Sequence, residues 1–284
     1  MISKEGWVKM VDVVIIGNVC YDEGIFYRAN GSTTSNKTCG GACYFSSIAA
    51  SLFSNVGMVA KVGNDYDLSF LNVSRINLEG LQIVDDLKTT VFKTYFTSLD
   101  GQERKIIGSV HEGLLLSPSD IPKSYLSAKC IHIATNEPQI QYDLVKFLKS
   151  NSNAIISIDT ISGYSSDKIT RQAFDLADIA IIEDKFEFLL QCNAKNKIVK
   201  HGKYGVDLLI NGLKIEFKNE NIIQEVVDKT GAGDIFAGSF MGCLSAGMGL
   251  KQSISKAMKI ATFSVSKYGA EHLLDLQPDN SVLE

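Results

Sequence analysis

From Cys130 onward the chain repeats one pattern, a short apolar run followed by a longer amphipathic stretch. Runs at 130–134, 154–159, 179–182 and 197–200 predict strands, and the segments at 138–150, 170–177 and 184–192 predict helices between them. Strands with no polar alternation cannot face water on either side. Joined by helices, they are expected to form a parallel sheet covered on both faces. Runs at 11–17 and 56–62 read as further buried strands, with a small-residue helix from Gly40-Gly41 to about Phe53 between them. After Gly63-Asn64-Asp65 an amphipathic period predicts a helix with Leu68, Leu71, Val73 and Ile76 facing the core.

Residues 18–39 are polar, with Asn30-Gly31 as a turn signal. Residues 89–107 change to a period of two around Asp100-Gly101, which predicts a hairpin. Both its faces carry large residues, so it is expected to cover something. A short antiparallel meander is expected over 206–217, a helix over 230–246, and a last helix over 251–267 that ends at Gly269. No repeat, low-complexity stretch or linker divides the chain, so one domain over 1–284 is expected. Ligands of open α/β sheets bind beyond the carboxyl ends of the strands. Asp22, Asp65, Asp159 and Glu183/Asp184 all follow predicted strands, which marks that edge as the expected cleft.

Composition excludes several classes. The net charge of −4 leaves no basic footprint for nucleic acid. No apolar run approaches the ~20 residues that span a bilayer, so no membrane partner is expected. The run Val13–Ile16 is too short for a signal peptide, and a cytoplasmic location is expected. The six cysteines are scattered, with no Cys-x-x-Cys pair and no zinc spacing, and read as reduced buried thiols. A redox pair of Cys39 and Cys43 is the alternative. The sequons at Asn30, Asn36 and Asn72 are then chance matches.

The stretch Val227-Asp228-Lys229-Thr230-Gly231-Ala232-Gly233-Asp234-Ile235-Phe236 reads as a loop turning into a helix. Thr230 is expected to cap that helix. Gly231 and Gly233 let backbone touch a ligand. A helix start of this kind suits a phosphate. Asp234 adds a carboxylate where an anion would dock. Any helix favours an acid in its first turn. Phosphoryl transfer, in addition, needs a group that accepts the proton of the attacking hydroxyl. Other phosphate motifs fail. The nearest P-loop match, Gly233 to Gly238 before Ser239, has no lysine, and Phe236 stands where a dinucleotide fingerprint needs its third glycine.

The decapeptide resembles the second signature of the ribokinase/PfkB carbohydrate kinase family, Asp-Thr-Thr-Gly-Ala-Gly-Asp-x-Phe, with Lys229 as its departure. Gly17-Asn18-Val19-Cys20-Tyr21-Asp22 resembles the family's first strand with its substrate aspartate, and Gly40-Gly41-Ala42 its first glycine pair. Residues 89–107 correspond to its β-lid, and Asp159 to the aspartate of its Asp-x-Asn-x-Arg segment. Asp184-Lys185-Phe186-Glu187 lies where the family has Asn-x-x-Glu. His201-Gly202-Lys203-Tyr204-Gly205 resembles its Gly-x-x-Gly turn, and Gly269-Ala270 its segment near adenine.

The resemblance implies a three-layer α/β/α sandwich, ribokinase-like, with a mostly parallel central sheet and a small β-lid from 20–38 and 88–110. It implies Asp234 as catalytic base and Gly231, Ala232 and Gly233 as the anion hole. Asp22, Gly40, Gly41, Phe45 and Asp159 would meet the substrate. Asp184, Glu187, His201, Gly202, Gly205, Thr230 and Gly269 would lie by the nucleotide. ATP and Mg²⁺ are the implied cofactors, with Glu187 ordering Mg²⁺ through water, and a monovalent cation (K⁺) is left open. A homodimer through the lid is also implied as an option.

Three further departures stand out. Phe45 replaces the family's asparagine, which places a ring against the substrate. Ile161 and Gly163 replace Asn and Arg, and Asp184 replaces Asn. The Gly17–Asp22 and Gly40–Ser46 strings look like the myo-inositol kinase branch. The expected activity is ATP-dependent phosphorylation of a sugar or polyol hydroxyl. A nucleoside kinase is the alternative, with Phe92, Tyr95 and Phe96 of the lid free to stack on a base, and a non-catalytic sensor on the same fold is a further one.

Overall fold

The computed structural model describes residues 10–27, 33–96, 104–160, 163–164, 166–220 and 226–276. In chain order the strands are β1 (Val13–Ile16), β2 (Cys20–Tyr27), β3 (Thr33–Gly40), β4 (Val56–Gly63), β5 (Ile76–Val84), β6 (Val91–Phe96), β7 (Arg104–Ile107), β8 (Cys130–Ile133), β9 (Ile155–Ile158), β10 (Ile179–Glu183), β11 (Asn196–Lys200), β12 (Gly205–Ile210) and β13 (Leu213–Lys218). The helices are α1 (Ala42–Ser51), α2 (Pro138–Asn151), α3 (Lys168–Leu176), α4 (Glu187–Leu190), α5 (Ala232–Ser245) and α6 (Leu250–Ser264).

Nine strands form the central sheet in the order β13-β12-β11-β10-β9-β8-β1-β4-β5. Pairing is parallel from β11 to β5 and antiparallel only through the β12–β13 hairpin at one edge. That hairpin turns at Asn211-Gly212, both with positive φ (51° and 77°), the backbone a two-residue hairpin turn requires. The apolar strands divide by parity. Val13 and Ile15 of β1 face a core shared with α1, α5 and α6, while Val14 and Ile16 face a second core shared with α2 and α3. Four strands, β3-β2-β6-β7, form a separate smaller sheet, the lid. The Asn30-Gly31 and Asp100-Gly101 turn signals and Ile161 lie outside the described residues.

Two expectations about elements are corrected. Residues 68–71 form only a 3₁₀ turn, capped by the Asp67 side chain accepting from Ser69 N (2.9 Å), and 76–84 is strand β5. The parallel edge of β4 recruits this segment, and long-range backbone pairing overrides a local helical period. Leu71 and Ile76 are buried as expected, whereas Leu68 is 42% exposed. The helix expected over 184–192 shrinks to α4. All six cysteines are free and buried. Among the described residues no helix is long and apolar enough to cross a membrane.

Candidate active site

Helices α1 and α5 pack with almost no side chain between them. A Cβ at Gly238 would lie 2.1 Å from Ser46 O, and one at Gly242 would lie 2.8 Å from Ala50 O. Ser46 Oγ donates to Asp234 O (2.9 Å) and Ser54 Oγ to Gly242 O (3.0 Å). Contacts advance together along both helices, so α1 and α5 run parallel and their N-termini lie side by side. Each brings the positive end of a helix dipole to the same edge of the sheet.

The start of α5 corrects the expected cap. Its N-cap is Gly231, not Thr230, in the left-handed region (φ 72°) and with no side-chain cap. Thr230 instead donates its backbone N–H to Asp228 Oδ1 (2.9 Å), an Asx turn that holds the loop. No side chain caps this first turn, where Ala232 N–H donates to Lys229 O (3.3 Å), and a helix start without a side-chain cap suits an anion. A Cβ on Gly231 would lie 2.4–2.7 Å from three atoms of the Phe45 ring. Phe45, expected against the substrate, lies beneath Gly231. Glycine is therefore required there twice, for its φ and for the ring.

Three carboxylates converge at this edge. Burial first, then the charges of Asp159 and Asp22, push Asp234 up to about 7, with Lys200 opposing. Burial, with Asp228, raises Asp22 to about 6, against hydrogen bonds from the Cys20 thiol and the Gly41 N–H. The carboxylate of Asp22 fills the space of a side chain at Gly40, where a Cβ would sit 2.0 Å from Oδ2. Gly41 enters α1 with φ 94°. Asp159 is buried at the end of β9 and accepts from Lys200 Nζ at 2.7 Å. A carboxyl poised near neutrality can exchange a proton with an alcohol at physiological pH.

Lys200 was not singled out in the sequence. Its sequence signal is a lysine closing an apolar parallel strand at the carboxyl edge. It stands at the wall of a cavity of about 680 Å³, lined by Gly202, Gly205, Ala232 and Gly233 and, toward α6, by Val226, Met258, Ala261 and Val265. Among the described residues its charged lining is Lys200, Lys203 and Lys229. A space cationic and amide-lined at one end and apolar at the other fits a nucleotide.

The remaining expected residues are placed as follows. His201 Nδ1 lies 2.8 Å from Asp184 Oδ2 and its Nε2 lies 2.7 Å from Asp207 Oδ2, so the two carboxylates, Asp184 foremost, raise its pKa. Glu187 is exposed in the first turn of α4. Gly269 has φ 68°, faces the Glu271 carboxylate, and does not line the cavity. Among the described residues no cluster of three or more His, Cys, Asp or Glu could cage a metal.

A mostly parallel sheet with a β-lid, and an uncapped glycine-led helix facing a cationic cleft, is the build of a ribokinase-like kinase. The chain belongs to the pfkB family of carbohydrate kinases, whose model matches residues 10–276. It is 26% identical to a cytidine kinase of Thermococcus kodakarensis over 92% of this chain and 98% of that protein. It is 27% identical to a nucleoside kinase of Methanothermobacter thermautotrophicus over 92% and 91%. Arabidopsis thaliana ribokinase, solved with ribose and ATP, shares the fold with a TM-score of 0.75 at 18% identity, covering 94% of this chain and 99% of that one.

Proposed function

We propose that the chain transfers the γ-phosphoryl group of ATP to a ribose hydroxyl of a nucleoside, with Asp234 as the base. The observation that carries this is a carboxyl raised to about 7 in the first turn of an uncapped helix, within electrostatic reach of Asp22 and Asp159. Asp22 binds the acceptor hydroxyls. Asp234 takes the proton as the hydroxyl oxygen attacks phosphorus and the bond to ADP breaks. The backbone at Gly231, Ala232 and Gly233 receives the transferred group. Mg²⁺, held by the phosphates and through water by Glu187, would neutralise charge on them. The named relatives support a nucleoside acceptor.

A second reading, a free sugar or polyol acceptor, rests on the likeness of Gly17–Asp22 and Gly40–Ser46 to the myo-inositol kinase branch. ADP formation from Mg-ATP over nucleosides, pentoses, hexoses and myo-inositol, in Na⁺ and in K⁺, separates the two. A strong nucleoside substrate silenced by Asp234→Asn supports the first. Preference for inositol or a free sugar replaces it with the second. Full turnover in the Asn variant refutes the role of Asp234.

A further inference from the structure

We propose that Lys200 is a catalytic residue, the fixed cation that binds the transferred phosphoryl group, and that Asp159 is its positioning partner. This rests on the assignment of the α5 N-terminus as the phosphoryl site.

Lys200 ends β11, and its ammonium pairs with Asp159 Oδ2 at 2.7 Å. A Cβ built on Gly233 would meet that ammonium at 3.3 Å, so the charge lies directly against the second residue of α5. It also lines the cavity, whose charged lining among the described residues is lysine alone. The side chain is 13% exposed, and among the described residues Asp159 is its one hydrogen-bond acceptor. An ammonium has three donors, so two remain for a ligand. Burial alone would depress Lys200, but Asp159, Asp234 and Glu183 hold it protonated.

Stability does not explain such a pair. Exchanging a buried ion pair for apolar residues is often neutral or stabilising, whereas a cation beside developing phosphoryl charge acts directly on rate. Gly163 stands where the resemblance has an arginine, so that position supplies no cation. Lys200 reaches the site from a different strand. As the acceptor oxygen bonds to phosphorus and the bridging oxygen leaves with ADP, the proton passes to Asp234. Lys200 stays protonated throughout, donating to the phosphoryl oxygens.

Removing Lys200 alone strands the Asp159 charge in the core and can unfold the chain, so the deciding variant is Lys200→Met with Asp159→Asn. Calorimetry would compare Mg-ADP with the Mg²⁺ complex of the imido analogue of ATP. The double variant should bind the analogue about tenfold more weakly or worse and ADP nearly unchanged, the loss of a charge-assisted contact to the terminal phosphoryl alone. Equal losses for both nucleotides, or none, would overturn the assignment. With the best acceptor from the panel, both Lys200→Met and the double variant should lose about 10²–10³ in kcat. A merely structural pair predicts recovery in the double variant, and turnover within about threefold of wild type would sink the proposal. If nothing in the panel is phosphorylated, the proposed function fails and the calorimetry still decides Lys200.

Discussion

Replacing Asp234 by Asn should make the protein inactive and more stable at once. Asp234 is raised to about 7, and an unfolded chain returns it to ~3.9. A gap of about three units at ~1.4 kcal/mol each gives ~4 kcal/mol opposing the folded state once the group is ionised in both. Asp234 keeps partial contact with solvent, so about half of that, ~2 kcal/mol, is the expected gain from a neutral isostere. For a chain of this size that is a Tm rise of about 3 °C at pH 8.

The sign fixes the pH dependence. Between ~4 and ~7 the native state binds the proton that the unfolded state has lost, so wild-type stability falls as pH rises through that window. The advantage of the Asn variant must therefore be full above pH 7, less than half by about pH 5, and gone near pH 4. Thermal unfolding of both proteins at pH 8 and 5 reads this directly. In parallel, turnover should fall about 10²–10⁴-fold while an ATP analogue still binds. An Asn variant that is no more stable at pH 8, or whose advantage grows toward pH 5, would refute the buried-carboxyl account of Asp234.

Asp22→Asn should raise the acceptor KM about tenfold or more and leave ATP binding unchanged, because a charged acceptor of hydroxyl hydrogen bonds is lost; steady-state kinetics in each substrate checks it. Gly231→Ala should cost ~1–2 kcal/mol in left-handed backbone strain and, through the Phe45 clash, about 10² in kcat, and Phe45→Ala in the same chain should relieve the clash but not the strain. Gly238→Ala should cost ~2 kcal/mol or more, seen as a lowered denaturation midpoint, because its Cβ meets the immovable carbonyl of Ser46.

What was legible in the chain was what is local. The strand–helix alternation after Cys130 needs only short windows, and the Gly231–Asp234 string carries its meaning in four residues. Even the convergence of Asp22 and Asp159 is hinted at, since each follows a predicted strand, while Asp234 reaches the same edge from a helix start. What escaped depends on distant partners. The 68–76 period looked helical, but the open edge of β4 made it turn and strand. Thr230 has the chemistry of a cap, yet the loop spends its backbone on Asp228 and leaves the helix start bare. Phe45 is expected by the substrate because it replaces the family's asparagine, and its packing under Gly231, far along the chain, has no local signal. Lys200 pairs with an acid 41 residues away, an ion pair no local motif announces.

The α1–α5 interface explains why the geometry of the site does not depend on the lid. Asp22 sits at the root of lid strand β2, but its carboxylate is held by the N–H of Gly41 and wedged against Gly40, at the entry to α1. Asp234 is held at the entry to α5, its carbonyl bonded to Ser46 of α1. The spacing of the two carboxylates is thus set by helices that meet through glycine, alanine and serine backbone. At Gly238 and Gly242 backbone meets backbone, leaving no side chain between the helices to repack there. Under the proposed function, Asp22 and Asp234 would then keep their separation whatever the outer strands of the lid do, as pre-organised phosphoryl transfer demands. Glycine at 238 and 242 lets α5 lie against α1 and so fixes where its N-terminus points.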